Sequence, residues 1–527
     1  MHRAHRSTRT YSLDEVVCAP VTDSNTQPSR PDRAVEAGRG ALFIGFAKAF
    51  FMVAGFLQRV LLARVISPAE YGAFSVVNNA ISTVNNTMVQ GTIQSVSKFT
   101  AEDDARAGAV QRAGLKMQAV LGFLIAAIFV LAAPMIAHFV KAPEHVSLFR
   151  LVAAIPLVYA FYAVYVGTAN GLRKFHLQAS FDVGFSTAKT ILLLAGAVVG
   201  RMLGHSVAGA FIGFIAAALI ILLVAGRTVG MREGQQAFPA PRLITFMGGV
   251  VLYTLLINLA LNYDLLLLRR FAGAAAPGAP ADALAGAYEA VRNLALLPYQ
   301  ALLVVTFVIF PLVSRATFAA DREATAAYVR QTLRYALILG VALAVTLSAR
   351  PSALLAILYP KAYGIGAQAL PILAAGIVAL ALLSIAGSIV TASGRPDIAV
   401  GLVALTLAVG SALAFAIVPG ATPGPAMLTA SAVATALGML AGLLAALVYL
   451  WRRFAALPPL LSVLRVCTAA ALATALGRVM PGSGKIAGLA ATAAAGIAFA
   501  AVLLLLREFG TTDREKFAKI LKLRRRA

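Results

Sequence analysis

Charge is what this sequence has least of. Asp, Glu, Lys and Arg make up 13% of its 527 residues, about half the share of a soluble domain, which excludes a water-soluble fold. Cysteine is almost absent. Cys18 and Cys467 lie too far apart to suggest a disulfide framework or a thiolate metal site. The six histidines, at positions 2, 5, 138, 145, 176 and 205, show no HExxH or other metal-ligand spacing, so neither a metal nor any other cofactor is expected. Long polar loops are missing too. No connecting stretch between apolar segments exceeds about 20 residues, too short to bury a core of its own, so the chain is not expected to be an enzyme. Residues 1–40 lack the apolar h-region of a secretory signal and are expected to form a disordered cytoplasmic tail.

What the chain does have is apolar sequence in runs of membrane length. Hydrophobic residues make up 60%, the mean hydropathy is +0.84, and a spanning helix needs about 20 such residues. Uncharged runs cover 206–226, 486–506 and 398–451; the last holds two spans, divided at Pro419–Pro425. A window of about 19 residues finds apolar segments near 41–63, 72–95, 117–140, 148–170, 178–200, 205–227, 244–268, 287–312, 330–349, 367–391, 398–418, 427–450, 461–479 and 486–506. An all-α polytopic membrane protein of about fourteen transmembrane helices follows.

Lys and Arg in the short loops set the orientation. With the N-terminus inside, 31 fall on the cytoplasmic side and 10 on the other, and four lie within spans: Lys48, Arg59, Lys189 and Arg292. Both termini are therefore expected in the cytoplasm. The net charge of +24 reads as positive-inside anchoring, since no basic stripe interleaved with aromatics points to nucleic acid. The basic tail at 507–527 suits a short helix on anionic lipid.

The first six spans recur in the next six. Arg64 matches Arg270, Tyr71 matches Tyr288, Leu115-Lys116 matches Leu333-Arg334, Lys141 matches Lys361, and Gly171-Leu-Arg173 matches Gly394-Arg395. Offsets drift slowly, with one jump at the Ala-Gly-Pro insert around 272–282. Six is even, so the copies share one orientation. The expected architecture is a six-helix bundle at 41–230 and a second at 241–451, parallel and related by a pseudo-twofold axis along the membrane normal, with helices 13 and 14 at 459–506 appended. Two such bundles can rock about a central cavity, which is transporter geometry.

Charges inside spans are functional candidates. Lys189 lies mid-span, too deep to snorkel easily. Lys48, nearer a span end, is either a cavity cation or a snorkelling lysine. Arg292 is either a cavity cation or the partner of Glu289 one turn away. Asp264, beside Asn258 and Asn262 and close to Arg269 in sequence, is either a coupling-ion acid, with Glu289 a second, or an interface carboxylate. In span 2, Asn79, Thr83, Asn86, Gln90 and Gln94 recur at helical spacing, continuing to Ser97. Such a stripe either lines a wet cavity or glues helices together by hydrogen bonds. With Lys48, Lys189 and Arg292 the expected cavity is net cationic, suited to an anionic head group. Pro156, Pro298 and Pro371 mark places where helices could bend.

The segment ARVISPAEYGAFSVVNN after span 1 resembles a signature of polysaccharide-biosynthesis flippases, and YPKAYGIGAQALPILAAGIVALALLSIAGSIVTASGRPD resembles their span 9 to 11 region. The chain is thus similar, over roughly 41–506, to O-antigen type oligosaccharide flippases of the multidrug/oligosaccharidyl-lipid/polysaccharide exporter superfamily. The resemblance implies export of a polyprenyl-diphosphate oligosaccharide across a bacterial-type inner membrane by alternating access, with membrane lipids, H⁺ or Na⁺ and polysaccharide-assembly proteins as partners. A lipid II flippase and a cation-coupled multidrug antiporter of the MATE type are the alternatives. A membrane glycosyltransferase would need a catalytic loop that is not there. The phosphate-loop lookalike Pro481-Gly-Ser-Gly-Lys485 lacks its first Gly and its Ser/Thr.

Overall fold

A computed structural model describes residues 30–233, 237–303, 322–482, 484–510 and 513, and only the backbone of 30–47, 322 and 324. The expected tails at 1–29 and 514–527 lie outside the described residues. The chain begins with α1 (Arg30–Val65), which starts within the stretch expected as a tail. It continues through α2 (Pro68–Glu102), α3 (Ala107–Phe139), α4 (Val146–Val152), α5 (Ala154–Gly171), α6 (Phe175–Met202) and α7 (Ser206–Val229). The second half holds α8 (Ala240–Ala275), α9 (Ala279–Ala295), α10 (described over 297–303), α11 (Arg322–Ala349), α12 (Pro351–Leu358), α13 (Ala369–Ala392), α14 (Pro396–Ile417) and α15 (Pro425–Phe454). Two more follow, α16 (Leu460–Val479) and α17 (Lys485–Leu505).

Eleven helical segments among the described residues are long and apolar enough to cross a membrane. The protein is an all-α, multi-pass membrane protein. The windows expected at 41–63, 72–95 and 287–312 are also helical where described, but fall outside that set. The second carries the polar stripe; the other two run into residues not fully described.

Local chemistry explains the breaks. Between α1 and α2 a capping box turns the chain: the Ser67 amide donates to Glu70 Oε2 at 2.7 Å and the Glu70 amide to Ser67 Oγ at 3.3 Å, with Pro68 opening the helix. Pro156, Pro298 and Pro371 do not kink continuous helices. Each sits in the first turn after an interruption, at Ala153, Leu296 and Ala367-Gln368, where its missing N–H leaves no hydrogen bond unmade.

The two halves pack alike. In the first, α1 lies on α6, α2 and α3 on α5, α5 on α7 and α6 on α7; in the second, α8 lies on α14, α9 and α11 on α13, α13 on α15 and α14 on α15. The crossings correspond as well. A Cβ on Gly209 would overlap the Gly196 carbonyl between α6 and α7, and one on Gly438 would meet Gly410 between α14 and α15. Arg173 (φ 60°) and Gly394 (φ 88°) occupy left-handed positions after α5 and α13. Arg64 and Arg270 each cap carbonyls in the opposite half, Arg64 at Ile357 and Leu358 (2.6 and 2.8 Å) and Arg270 at Phe139 (2.8 Å). Between the halves, α2 packs on α8 and α9. Its closest approach is at Gly72, where a Cβ would overlap the Asp282 carbonyl and the Gly286 amide.

The last two helices lie against α11 and are clamped to it at one end. Arg334 holds Glu508 Oε1 at 2.7 Å and Asp513 Oδ2 at 3.1 Å, Arg465 holds Glu508 Oε2 at 3.3 Å, and Tyr335 donates to Asp513. Burial opposes ionisation of Glu508, but the bonds from Ser462 and Arg334 outweigh it and hold the carboxyl below its usual range. Burial likewise opposes ionisation of Asp513, where Tyr335 and the Gly510 amide outweigh it. Stability gained from lowered carboxylates is present at neutral pH and lost as the pH falls through the folded values, below about pH 4. Hydrogen–deuterium exchange over 460–510, taken relative to the intrinsic rate at each pH, is therefore expected to rise below that pH. Arg334→Gln should raise it already at neutral pH, and unchanged exchange in that variant would refute the clamp.

Candidate functional site

The end of the molecule that carries the α1–α2 turn is called the upper end here. In its half of the bundle, α8 and α9 bring Asp264, Glu289 and Arg292 into one cluster. Arg292 Nε lies 3.2 Å from Asp264 Oδ1 and Nη1 lies 2.5 Å from Glu289 Oε2. Its Nη2 donates to the Leu261 carbonyl and, at 3.3 Å, to Asn262 Oδ1. Only 3% of Arg292 is exposed, so water does not compete for these bonds. Three of the expected site residues thus meet, and Arg292 is ion-paired to two acids.

Asp264 turns away from Arg269, its neighbour in sequence. Five residues along a helix place side chains about 140° apart, so the two face different surroundings. Arg269 instead joins Asp282 at 2.7 Å and Glu144 at 3.0 Å, and His145 Nε2 lies 3.0 Å from Asp282 Oδ2. Glu144, His145 and Asp282 offer ligand atoms within 4.8 Å of one another, but the wholly buried guanidinium stands where a cation would. This is an ion-pair network between the α3–α4 connection and the α8–α9 hairpin.

The span 2 stripe divides in two. Asn79 donates to Glu289 Oε2 at 3.4 Å, Thr83 Oγ1 accepts from Asn262 at 3.3 Å, and Asn86 donates to Asn258 Oδ1 at 3.3 Å. Those bonds glue α2 to α8 and α9. Further down, Gln90 and Gln94 are exposed, as Asn86 is, but make no such bond across to α8 or α9 among the described residues.

The remaining embedded cations differ in their partners. Lys48 pairs with Asp182 Oδ2 at 2.8 Å, tying α1 to α6. Lys189 has its Nζ 3.9 Å from the centre of the Phe214 ring and 6.0 Å from that of Phe185. Arg59 donates from Nη1 to Asn293 Oδ1 at 2.7 Å. Among the described residues neither Arg59 nor Lys189 has a carboxylate partner. Sequence reasoning counted Arg59 as an embedded charge without making it a candidate, because it lies near the end of its apolar run. Asp182, an acid inside span 5, was a visible signal that went unused. Asn293, Tyr71 and Tyr359 gave none, since their meeting depends on segments more than 60 residues apart.

Against α11 and α16 lies an apolar groove of about 790 Å³, with Val341, Val345, Val378, Leu382 and Leu443 among its lining residues and Arg478 beside them.

These features can be set beside known proteins. The family model for polysaccharide biosynthesis proteins matches residues 37–317, more than half of the chain. The chain belongs to that family. Its fold is shared with a structure described as the lipid II flippase MurJ in an inward closed conformation, at a TM-score of 0.71 and 14% identity, covering 89% of this chain and 99% of that one. It is also similar to an inward-facing multidrug resistance MATE family transporter of the MOP superfamily, at a TM-score of 0.65 and 16% identity, covering 77% and 94%. A MOP superfamily transporter from Pyrococcus furiosus, whose binding pocket is described as of reversed polarity, matches at 0.59 and 14%, covering 79% and 95%. Comparison with curated protein sequences finds no match. The fold is therefore the one seen in solved transporters of the MOP superfamily.

The Asp264–Glu289–Arg292 cluster generates a stability prediction. Arg292→Met leaves two buried carboxylates unpaired and should destabilise by about 3–5 kcal/mol. Adding Asp264→Asn and Glu289→Gln should recover most of that loss, read as thermal unfolding in detergent. A single variant as stable as the wild type would contradict the assignment.

Proposed function

We propose that the protein turns a polyprenyl-diphosphate oligosaccharide from the inner to the outer leaflet by alternating access, for polysaccharide export. The matching contacts of 30–229 and 240–454 support two parallel six-helix bundles about an axis along the membrane normal, with α16 and α17 appended and fourteen spans in all. With both termini in the cytoplasm, the upper end is extracytoplasmic.

The observation that carries the reading is the pair Arg59 and Lys189. Two cations inside a bilayer, neither with a carboxylate partner among the described residues, lack the solvation that water would give. A diphosphate supplies what is missing, with charge-assisted bonds to both. Exposed Gln90 and Gln94 offer amides to sugar hydroxyls along the route from the lower end, and the apolar groove beside α16 suits a hydrocarbon tail. Lys48 is held by Asp182, and Arg292 by its two acids.

That second cluster has a role of its own. Two carboxylates against one guanidinium leave a negative charge unbalanced, and a buried site tolerates this only with a proton or another cation. Asp264 and Glu289 are therefore the coupling-ion acids, and one charge crossing 100 mV contributes about 2.3 kcal/mol. A lipid II flippase is the second reading, favoured by the 99% coverage of that structure. A multidrug antiporter for cationic drugs fits poorly, because Arg59 and Lys189 would repel its substrate.

The test is flipping of a fluorescent polyprenyl-diphosphate oligosaccharide in proteoliposomes, with lipid II run in parallel. Arg59→Gln and Lys189→Gln should each slow it by about tenfold or more, the worth of a charge-assisted bond, while Lys485→Gln, exposed at the start of α17, leaves it unchanged. Wild-type rates from both cation variants would refute the proposal. Faster turnover of lipid II than of the oligosaccharide would select the second reading.

A further inference from the structure

Arg59 touches the proposed anion site on one side and a closure of the upper end on the other. Its bond to Asn293 enters a buried polar hub. Asn293 Nδ2 donates to the Tyr71 hydroxyl at 2.8 Å and to the Tyr359 hydroxyl at 3.4 Å. The Tyr71 ring meets Tyr363 edge-on at 5.8 Å, Tyr359 lies 5.5 Å from Tyr363, and the Tyr363 hydroxyl donates to the Ala63 carbonyl at 3.2 Å. Asn293, Tyr71, Tyr359 and Tyr363 are all at most 3% exposed. One amide therefore joins α1, α2, α9 and the segment after α12, and with them both halves of the molecule.

The orientation of that amide is chemically fixed. A guanidinium only donates, so Oδ1 must face Arg59, and the two N–H groups are left for hydroxyls that can accept. The hub is satisfied only while Arg59 remains in place. An anion that draws Arg59 towards Lys189 leaves Oδ1 buried and unpaired, a state disfavoured away from water, and the favoured relief is separation of the elements the amide holds together.

We infer that Asn293 couples anion binding at Arg59 to opening of the upper end, making it a positioning residue through which a diphosphate, and not a neutral sugar, releases the closure. The inference rests on the anion site proposed above. It explains why a neutral amide, and not an acid, faces the arginine: a carboxylate would hold Arg59 too firmly for the substrate to compete.

The experiment uses the full chain in nanodiscs, with Cys18→Ser and Cys467→Ser, and spin labels at Leu203→Cys and Ala362→Cys on exposed upper-end positions in the two halves. Inorganic pyrophosphate is the probe, with binding measured by calorimetry and label distance by double electron–electron resonance. In the otherwise unaltered chain, pyrophosphate should bind and add a longer-distance population. Asn293→Asp, nearly identical in shape, should lower its affinity by about tenfold or more and keep the short distance. Asn293→Ala should show the long distance without pyrophosphate and still bind it. Binding that leaves the distance unchanged, or an Asn293→Asp variant that binds and opens as the wild type does, overturns the coupling while leaving the anion site standing. Absence of pyrophosphate binding in the unaltered chain overturns the anion site and the coupling with it.

Discussion

Every charge placed inside a bilayer must be answered, and the interior of this protein is organised by how each one is. Water cannot answer, so the partner is an acid, an aromatic face, an amide or a ligand. Lys48 has an acid, Arg292 has two, and Arg269 has Asp282 and Glu144. These pairs tie helices together. Lys189 rests on rings and Arg59 on a neutral amide, both weaker answers than a carboxylate. The embedded cations thus divide into those paired with a carboxylate and those resting on an aromatic face or an amide.

The same economy explains why the contacts between halves concentrate on α2. Its upper part offers glycine and small polar residues, allowing α9 to approach at Gly72 and hydrogen bonds to reach Glu289, Asn262 and Asn258. Its lower part exposes Gln90 and Gln94. A single helix thus serves as a seam above and carries exposed amides below.

Much of this was legible in the sequence, because hydropathy and loop charge act over whole spans. The positions of the helices follow from residues near one another in the chain. Arg64 and Arg270, paired as equivalents by offset, each cap carbonyls in the opposite half. The site was less legible. Asp264 has Arg269 five residues away, yet helix geometry sends it to Arg292; whether an arginine is free or paired depends on carboxylates brought in by other helices. Asn293 is the extreme case. Nothing local distinguishes it from any other asparagine, and its importance lies entirely in Arg59, Tyr71 and Tyr359 arriving from three other segments.

The most direct measurement is a cryo-electron microscopy structure with a short-chain polyprenyl-diphosphate sugar bound. Diphosphate density should lie between Arg59 and Lys189, with phosphate oxygens within about 4 Å of both side-chain nitrogens, the distance of an ion pair. Density at Arg292, with Asp264 and Glu289 displaced, or a diphosphate touching neither Arg59 nor Lys189, would contradict the account.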